Sequence, residues 1–322
     1  MKNFEQQLQG KHPRIGYAEG NNPDVLQACV RHVNEGYIIP VLIGNKQEIL
    51  SIADKIKIDI TGVEIVDMDT FPNRKQMVER MLMIRRGNWS REECEEKLND
   101  INYFSTMYLE LGYIDGLVGG VLATTAETMR PALQLIRTAA NNRFVSSCVF
   151  MEKDDIQLIL GDCSLNVDPS VEELVEITLQ CATTAKEFGL DPIVGLLSYS
   201  SFGSGKGQSV EKVRNAIEHL KRMPLDFPVD GEIQADTALS SEVAKIKAPN
   251  SAIAGHMNSL IFPNIDAGNI SYKIMVELCG YRMFGPILQG LRKPVNILTR
   301  RASIDTMYSM GILTGVQAVN NE

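Results

Sequence analysis

The chain has 322 residues, 44% of them hydrophobic and 22% charged, and its formal net charge is −8 at neutral pH. That is enough apolar material for one large or two medium α/β domains, and the acidic balance argues against nucleic acid or an anionic membrane surface as the main partner. The longest apolar runs, such as YIIPVLIG, fall far short of the roughly 20 residues that cross a bilayer, and the opening MKNFEQQLQGKHPR lacks an apolar export segment, so a cytoplasmic location is expected.

In chain order, RIGYAEG reads as a first strand, NPDVLQACVRHVNEG as a helix and IPVLIG as a second strand. Asn45 is placed to cap the helix KQEILSIADKI, and VEIVDMD is a third strand. KQMVERMLMIRRG and REECEEKLNDINYFSTMYLELG are two strongly periodic helices. DGLVGGV is a strand ending in glycines, followed by a helix, TTAETMRPALQLIRTA. VSSCVFMEK and IQLILGDC form a hairpin turning at Asp154–Asp155, and PSVEELVEITLQCATTAKEFGL is a long helix opened by Asp168 and Pro169. IVGLLSYS, a glycine-rich turn and SVEKVRNAIEHLKRM make a strand–turn–helix unit. SLIFPNI, NISYKIMVELCG and GPILQG continue the alternation, and SIDTMYSMGILTGVQAVN closes as a helix. This order predicts mostly parallel sheets with helices on both faces. The best boundary candidate is AANNR at 139–143.

Six scattered cysteines without a C-x-x-C pair read as reduced thiols, and four scattered histidines without ligand spacing make a metal site unexpected. Three stretches suit an anion. The first is GSGKG: Gly207 follows Lys206 and Ser200 precedes Gly205 by five, so the nucleotide P-loop pattern fails, and G-x-G-x-G also misses the dinucleotide fingerprint. The strand–turn–helix context survives, with Gly205 and Lys206 before a helix N-terminus. In the second, Thr124 and Thr125 can cap a helix to which Arg130 adds a fixed charge. In the third, Thr299, Arg300 and Arg301 precede a helix capped by Ser303.

Together these stretches resemble the phosphate acetyltransferase (phosphotransacetylase) family. TTAETMRPALQ, LSYSSFGSGKG, DGEIQADTA, GHMNSLIFPNIDAGNISYK and GPILQGLRKPVN all match family motifs in collinear order. The resemblance implies reversible acetyl transfer between acetyl phosphate and coenzyme A, with CoA as substrate and neither metal nor redox cofactor. It implies two three-layer αβα domains with mostly parallel sheets, of the isocitrate/isopropylmalate dehydrogenase type, around an active-site cleft. The first would hold residues 1–140 with 288–322 and the second 141–287, in a homodimer. By the same resemblance Arg300 sits at the reacting phosphate with Thr299 beside it, Arg130 binds a CoA phosphate, and Arg85 or Arg86 supplies a second such arginine. The reactive motif also departs from the family. Here it reads TRRASIDT, with Thr299 for Ser, Arg301 for Gly, Ala302 for Cys, Asp305 for Glu and Thr306 for the catalytic Asp, and Ala123 replaces a His. Asp305 is then the candidate base, although it lies about 100° around the helix from position 306. These departures keep two alternatives open: an acetyl-CoA-binding regulatory module, as in the domain fused to some malic enzymes, or a transferase preferring propanoyl or butanoyl groups.

Overall fold

The computed structural model describes residues 2–321. The chain divides into two compact units, Met1–Asn141 with Leu291–Glu322, and Asn142–Gly290.

The first unit contains α1 (Lys2–Leu8), β1 (Arg14–Tyr17), α2 (Pro23–Glu35), β2 (Ile39–Gly44), α3 (Lys46–Ile56), β3 (Glu64–Asp67), α4 (Arg74–Arg85), α5 (Arg91–Lys97), α6 (Ile101–Glu110), β4 (Gly116–Gly119) and α7 (Thr125–Pro131). Its strands β3-β2-β1-β4 run parallel, and the returning chain adds β11 (Val295–Ile297) parallel to β4 before α13 (Ile304–Asn320). Successive strand residues face opposite sides of the sheet. Tyr17 points to α2 and α13, where its hydroxyl lies 2.7 Å from His32 Nε2 and donates to the Met307 carbonyl, and α6 packs on β1, β2 and β4.

The second unit is built from β5 (Ser146–Lys153), β6 (Ile156–Gly161), α8 (Val171–Glu187), β7 (Val194–Leu197), α9 (Gln208–Lys221), β8 (Val229–Ile233), α10 (Ala235–Leu239), α11 (Ser241–Lys247), β9 (Ser259–Ile261), α12 (Ile265–Cys279) and β10 (Arg282–Gln289). Its strand order is β10-β5-β6-β9-β7-β8. The β5–β6 hairpin and β10 pair antiparallel, while β6, β9, β7 and β8 pair parallel.

Local chemistry corrects the expected elements at three places. REECEEKLNDINYF is not one helix: the Asp100 carboxylate accepts from the backbone N–H groups of Asn102 and Tyr103 and starts α6 afresh. The helix after Thr124 changes character at Pro131, whose ring has no N–H to give, and residues 132–136 form a π-helical turn. α8 is opened by a capping box of Ser170 and Glu173. Asp168 pairs with Lys212 instead.

Candidate active site

In the first unit β1, β4 and β11 are neighbours, so the loops leaving their C-terminal ends emerge side by side, where open α/β sheets bind ligands. The central device is Glu19. The residue is 4% exposed, and its carboxylate takes four consecutive backbone N–H groups: Gly120 at 3.0 Å and Val121 at 2.7 Å on Oε2, Leu122 and Ala123 at 2.9 Å on Oε1. Such convergence satisfies a buried carboxylate without a cation. It also means that the glycine-rich loop after β4 already holds its anion. A substrate phosphate near this loop must be gripped by side chains.

The next residue, Thr124, caps α7, and Glu127 returns to the Thr124 backbone N–H and hydroxyl at 2.7 Å. The Thr124 backbone and hydroxyl hold the Glu127 carboxyl below its usual range, with help from nearby Arg300 and Arg130. Thr125 is the first helical residue, exposed, and takes no part in the cap. Gly120 has φ +99° and approaches the β11 exit so closely that an added Cβ would meet the Leu298 carbonyl at 3.1 Å, while Leu298 N–H donates to Gly119 at 2.7 Å. The turn Thr299–Ala302 follows, closed by Ala302 N–H on the Thr299 carbonyl at 2.9 Å. Thr299, Arg300 and Arg301 are exposed on it. Among the described residues, Arg130 and Arg300 have no ion-pair partner.

Arg130 also borders a basic and aromatic cluster. Tyr103 hydrogen-bonds Gln134 at 2.7 Å; burial raises its phenol, which Arg130 and Arg85 pull back. Arg85 lies over the Trp89 ring at 4.4 Å, and Lys97 lies 4.9 Å from Trp89 and 5.0 Å from Tyr103. The Arg85 Nε is buried without a hydrogen-bond partner. Arg86, by contrast, ends α4 in a left-handed conformation, φ 50°, and is exposed. Arg85 joins the cluster and Arg86 does not.

Asp305 does not turn toward this ensemble. Its Oδ1 receives Arg31 Nη1 at 2.7 Å, and Arg31 in turn lies 3.8 Å over the Tyr308 ring and bonds Glu35. Thr306 sits at the cap, its backbone N–H on Ser303 Oγ and its hydroxyl 3.0 Å from the same atom.

In the second unit the Ser200–Gly207 turn is organised by Glu232, a buried residue at the end of β8. Glu232 accepts from the Ser200 hydroxyl at 2.9 Å, from Gly203 N–H at 2.7 Å and from Arg214. Burial pushes its carboxyl up, but Arg214, Gly203 and Ser200 together hold it below its usual range. Gly205 N–H donates to Ser200 Oγ at 2.8 Å. The start of α9 has no side-chain cap, and Lys206, just before it, has no ion-pair or hydrogen-bond partner for its ammonium group among the described residues. Sequence reading missed Glu19 and Glu232 because each acts on a loop distant in the chain. The one available signal was an acidic residue at a strand's C-terminal end.

Two α/β units with mostly parallel sheets, the first carrying two arginines without an ion-pair partner among the described residues, Arg300 on the turn after β11 and Arg130 in the last turn of α7, define a class of protein suited to anionic small molecules. The family described as "Phosphate acetyl/butaryl transferase" matches residues 1–315, and the chain belongs to it. It is 38% identical over 320 residues to a phosphate acetyltransferase of Staphylococcus aureus, covering 98% of each chain. A solved phosphotransacetylase from Streptococcus pyogenes superposes with a TM-score of 0.94 at 37% identity, covering 99% of this chain and 98% of that one. The fold extends to a 4-hydroxythreonine-4-phosphate dehydrogenase from Burkholderia phymatum, with a TM-score of 0.57 at 11% identity over 94% of this chain and 99% of that one.

Proposed function

We propose that this protein transfers an acetyl group reversibly between acetyl phosphate and coenzyme A. The observation that carries the reading is the pair Arg300 and Arg130, both exposed, Arg300 on the turn after β11 and Arg130 in the last turn of α7, a helix that packs on β11. In the direction of acetyl-CoA formation, the CoA sulfur attacks the acetyl carbonyl, an oxyanion develops, and the C–O bond to phosphate breaks. Arg300, with its planar fork, holds the phosphate and the developing negative charge, with the Thr299 hydroxyl beside it. Arg130, Arg85 and Lys97 hold the phosphates of CoA. Lys206, at the uncapped start of α9, offers a further phosphate contact within its own unit. The chemistry needs neither metal nor redox cofactor.

The thiol titrates like cysteine, near pH 8.5, so a few per cent is thiolate at neutral pH. With Asp305 engaged by Arg31 and Thr306 in the cap, this reading assigns no carboxylate of the reactive turn as base, and transfer runs on that thiolate fraction. Paired kinetics test the roles: Arg300→Ala should cut kcat by about 10²-fold or more, while Arg130→Ala should raise the KM for CoA and spare kcat. Activity of Arg300→Ala within a factor of a few of the parent would defeat the assignment.

We further propose a cytoplasmic homodimer. On α12, Ile270, Ile274 and Leu278 form an exposed stripe, at 57%, 50% and 81% exposure, flanked by Lys273 and Glu277. An antiparallel copy of α12 buries the stripe and sets each Lys273 beside the other chain's Glu277. Sedimentation of Ile274→Asp should show monomers; an unchanged dimer would place the contact elsewhere.

A further inference from the structure

We propose that Glu19 is a positioning residue for the transfer reaction, an internal anion that fixes where Arg130 and Arg300 stand. The inference rests on the functional reading above. Three observations carry it. Glu19 adopts a left-handed backbone, φ 63°, which residues other than glycine rarely do, at the point where β1 gives way to α2. Its own carbonyl accepts from Asn22 N–H at 2.9 Å, Asn22 caps α2, and on the other side Ala18 N–H donates to the Val118 carbonyl at 3.0 Å, so the unusual backbone is held from both ends. From there its buried side chain reaches across the strand ends and gathers the N–H groups of residues 120–123.

The consequence runs in two directions. Toward the C-terminus the clamped segment leads directly into Thr124, the cap of α7, and Arg130 lies about one and two-thirds turns further on. Sideways, Gly120 abuts the Leu298 carbonyl and Gly119 accepts from Leu298 N–H, just before the turn that bears Arg300. Release of residues 120–123 therefore loosens both arginines together, although Glu19 needs to touch no substrate. Four converging donors also discriminate sharply among side chains. A glutamine keeps the shape, but its amide NH2 faces two of the N–H groups and leaves them unsatisfied.

The experiment is steady-state kinetics, CoA titration and amide exchange on the full-length protein and its variants. Glu19→Gln should raise the KM for CoA and lower kcat together, with kcat/KM falling on the order of 10²-fold, the scale of an ångström-level misplacement. Glu19→Asp, which keeps the carboxylate, should recover part of both. The control is Glu110→Gln, which removes a buried carboxylate bonded to Arg80 and Arg292 and to none of residues 119–124 or 298–302; it should lower the melting temperature and leave both constants in place. Kinetics of Glu19→Gln that match Glu110→Gln overturn the proposal, since Glu19 would then be merely structural. Should Glu19→Gln not fold, exchange in the parent decides: slow amides at 120–123 are expected, and fast exchange there overturns it. A parent that neither turns over nor binds CoA overturns the functional reading itself, whereas an active parent with an indifferent Glu19→Gln overturns only the role of Glu19.

Discussion

At the scale of single residues, charge and orientation separate neighbours that look equivalent in the sequence. Arg300 and Asp305 stand five positions apart, yet Arg300 is exposed without an ion-pair partner among the described residues, whereas Asp305 pairs with Arg31 of α2. The Arg31–Asp305 pair is exposed, with the aspartate side chain 76% accessible, and pairs of this kind contribute at most about 1 kcal/mol. Asp305 is thus tied to α2 by a weak bond, and the proposed reading gives it no part at the reacting thiol. Asp305→Asn should accordingly leave kcat within a few-fold, and the parent rate should rise with pH from about 6 to 8.5 as the CoA thiol ionises. Thr306→Asp, which restores a carboxylate, should accelerate transfer and flatten that profile. A loss of roughly 10²-fold in Asp305→Asn, the worth of a general base, would return the role to Asp305.

At the scale of elements, the packing of α2 against α13 sets a pH dependence. His32 is fully buried between them, 2.7 Å from the Tyr17 hydroxyl and stacked on Tyr308 at 4.4 Å. Burial, with nearby Arg31, lowers its pKa from 6.5 to about 3. The unfolded chain therefore binds a proton that the folded chain refuses, and stability falls as pH drops from 6.5 toward 3, by about 1.4 kcal/mol per unit. Chemical denaturation across that window should show this slope, flattened in His32→Gln; an equal slope in both would place the acid sensitivity in other groups. What the sequence displayed at this scale was what is local. The caps Asn45, Thr124 and Ser303 are legible because donor and acceptor lie within four residues. Asp100 carries the same signal, but the strong helical period around it concealed the break. Glu19 and Glu232 lay beyond reach because their partners are brought together only by the order of the strands. The choice between Arg85 and Arg86 was likewise undecidable from spacing; it turns on a left-handed residue at the end of α4.

At the scale of the whole molecule, the family motifs made the fold and the reaction readable from end to end, while the altered TRRASIDT turn lacks the carboxylate that the resemblance places at position 306. The described residues contain no helix long and apolar enough to cross a membrane. The chain has a single tryptophan, Trp89, and it lies inside the basic cluster assigned to CoA, so ligand binding and turnover can be read separately on the unmodified protein. The decisive measurement is thioester loss from acetyl-CoA on mixing with purified protein, with and without inorganic phosphate. The account predicts loss that requires phosphate and yields acetyl phosphate. Saturable CoA quenching of Trp89 with no phosphate-dependent loss of thioester would contradict it and leave a protein that holds coenzyme A without transferring its acetyl group.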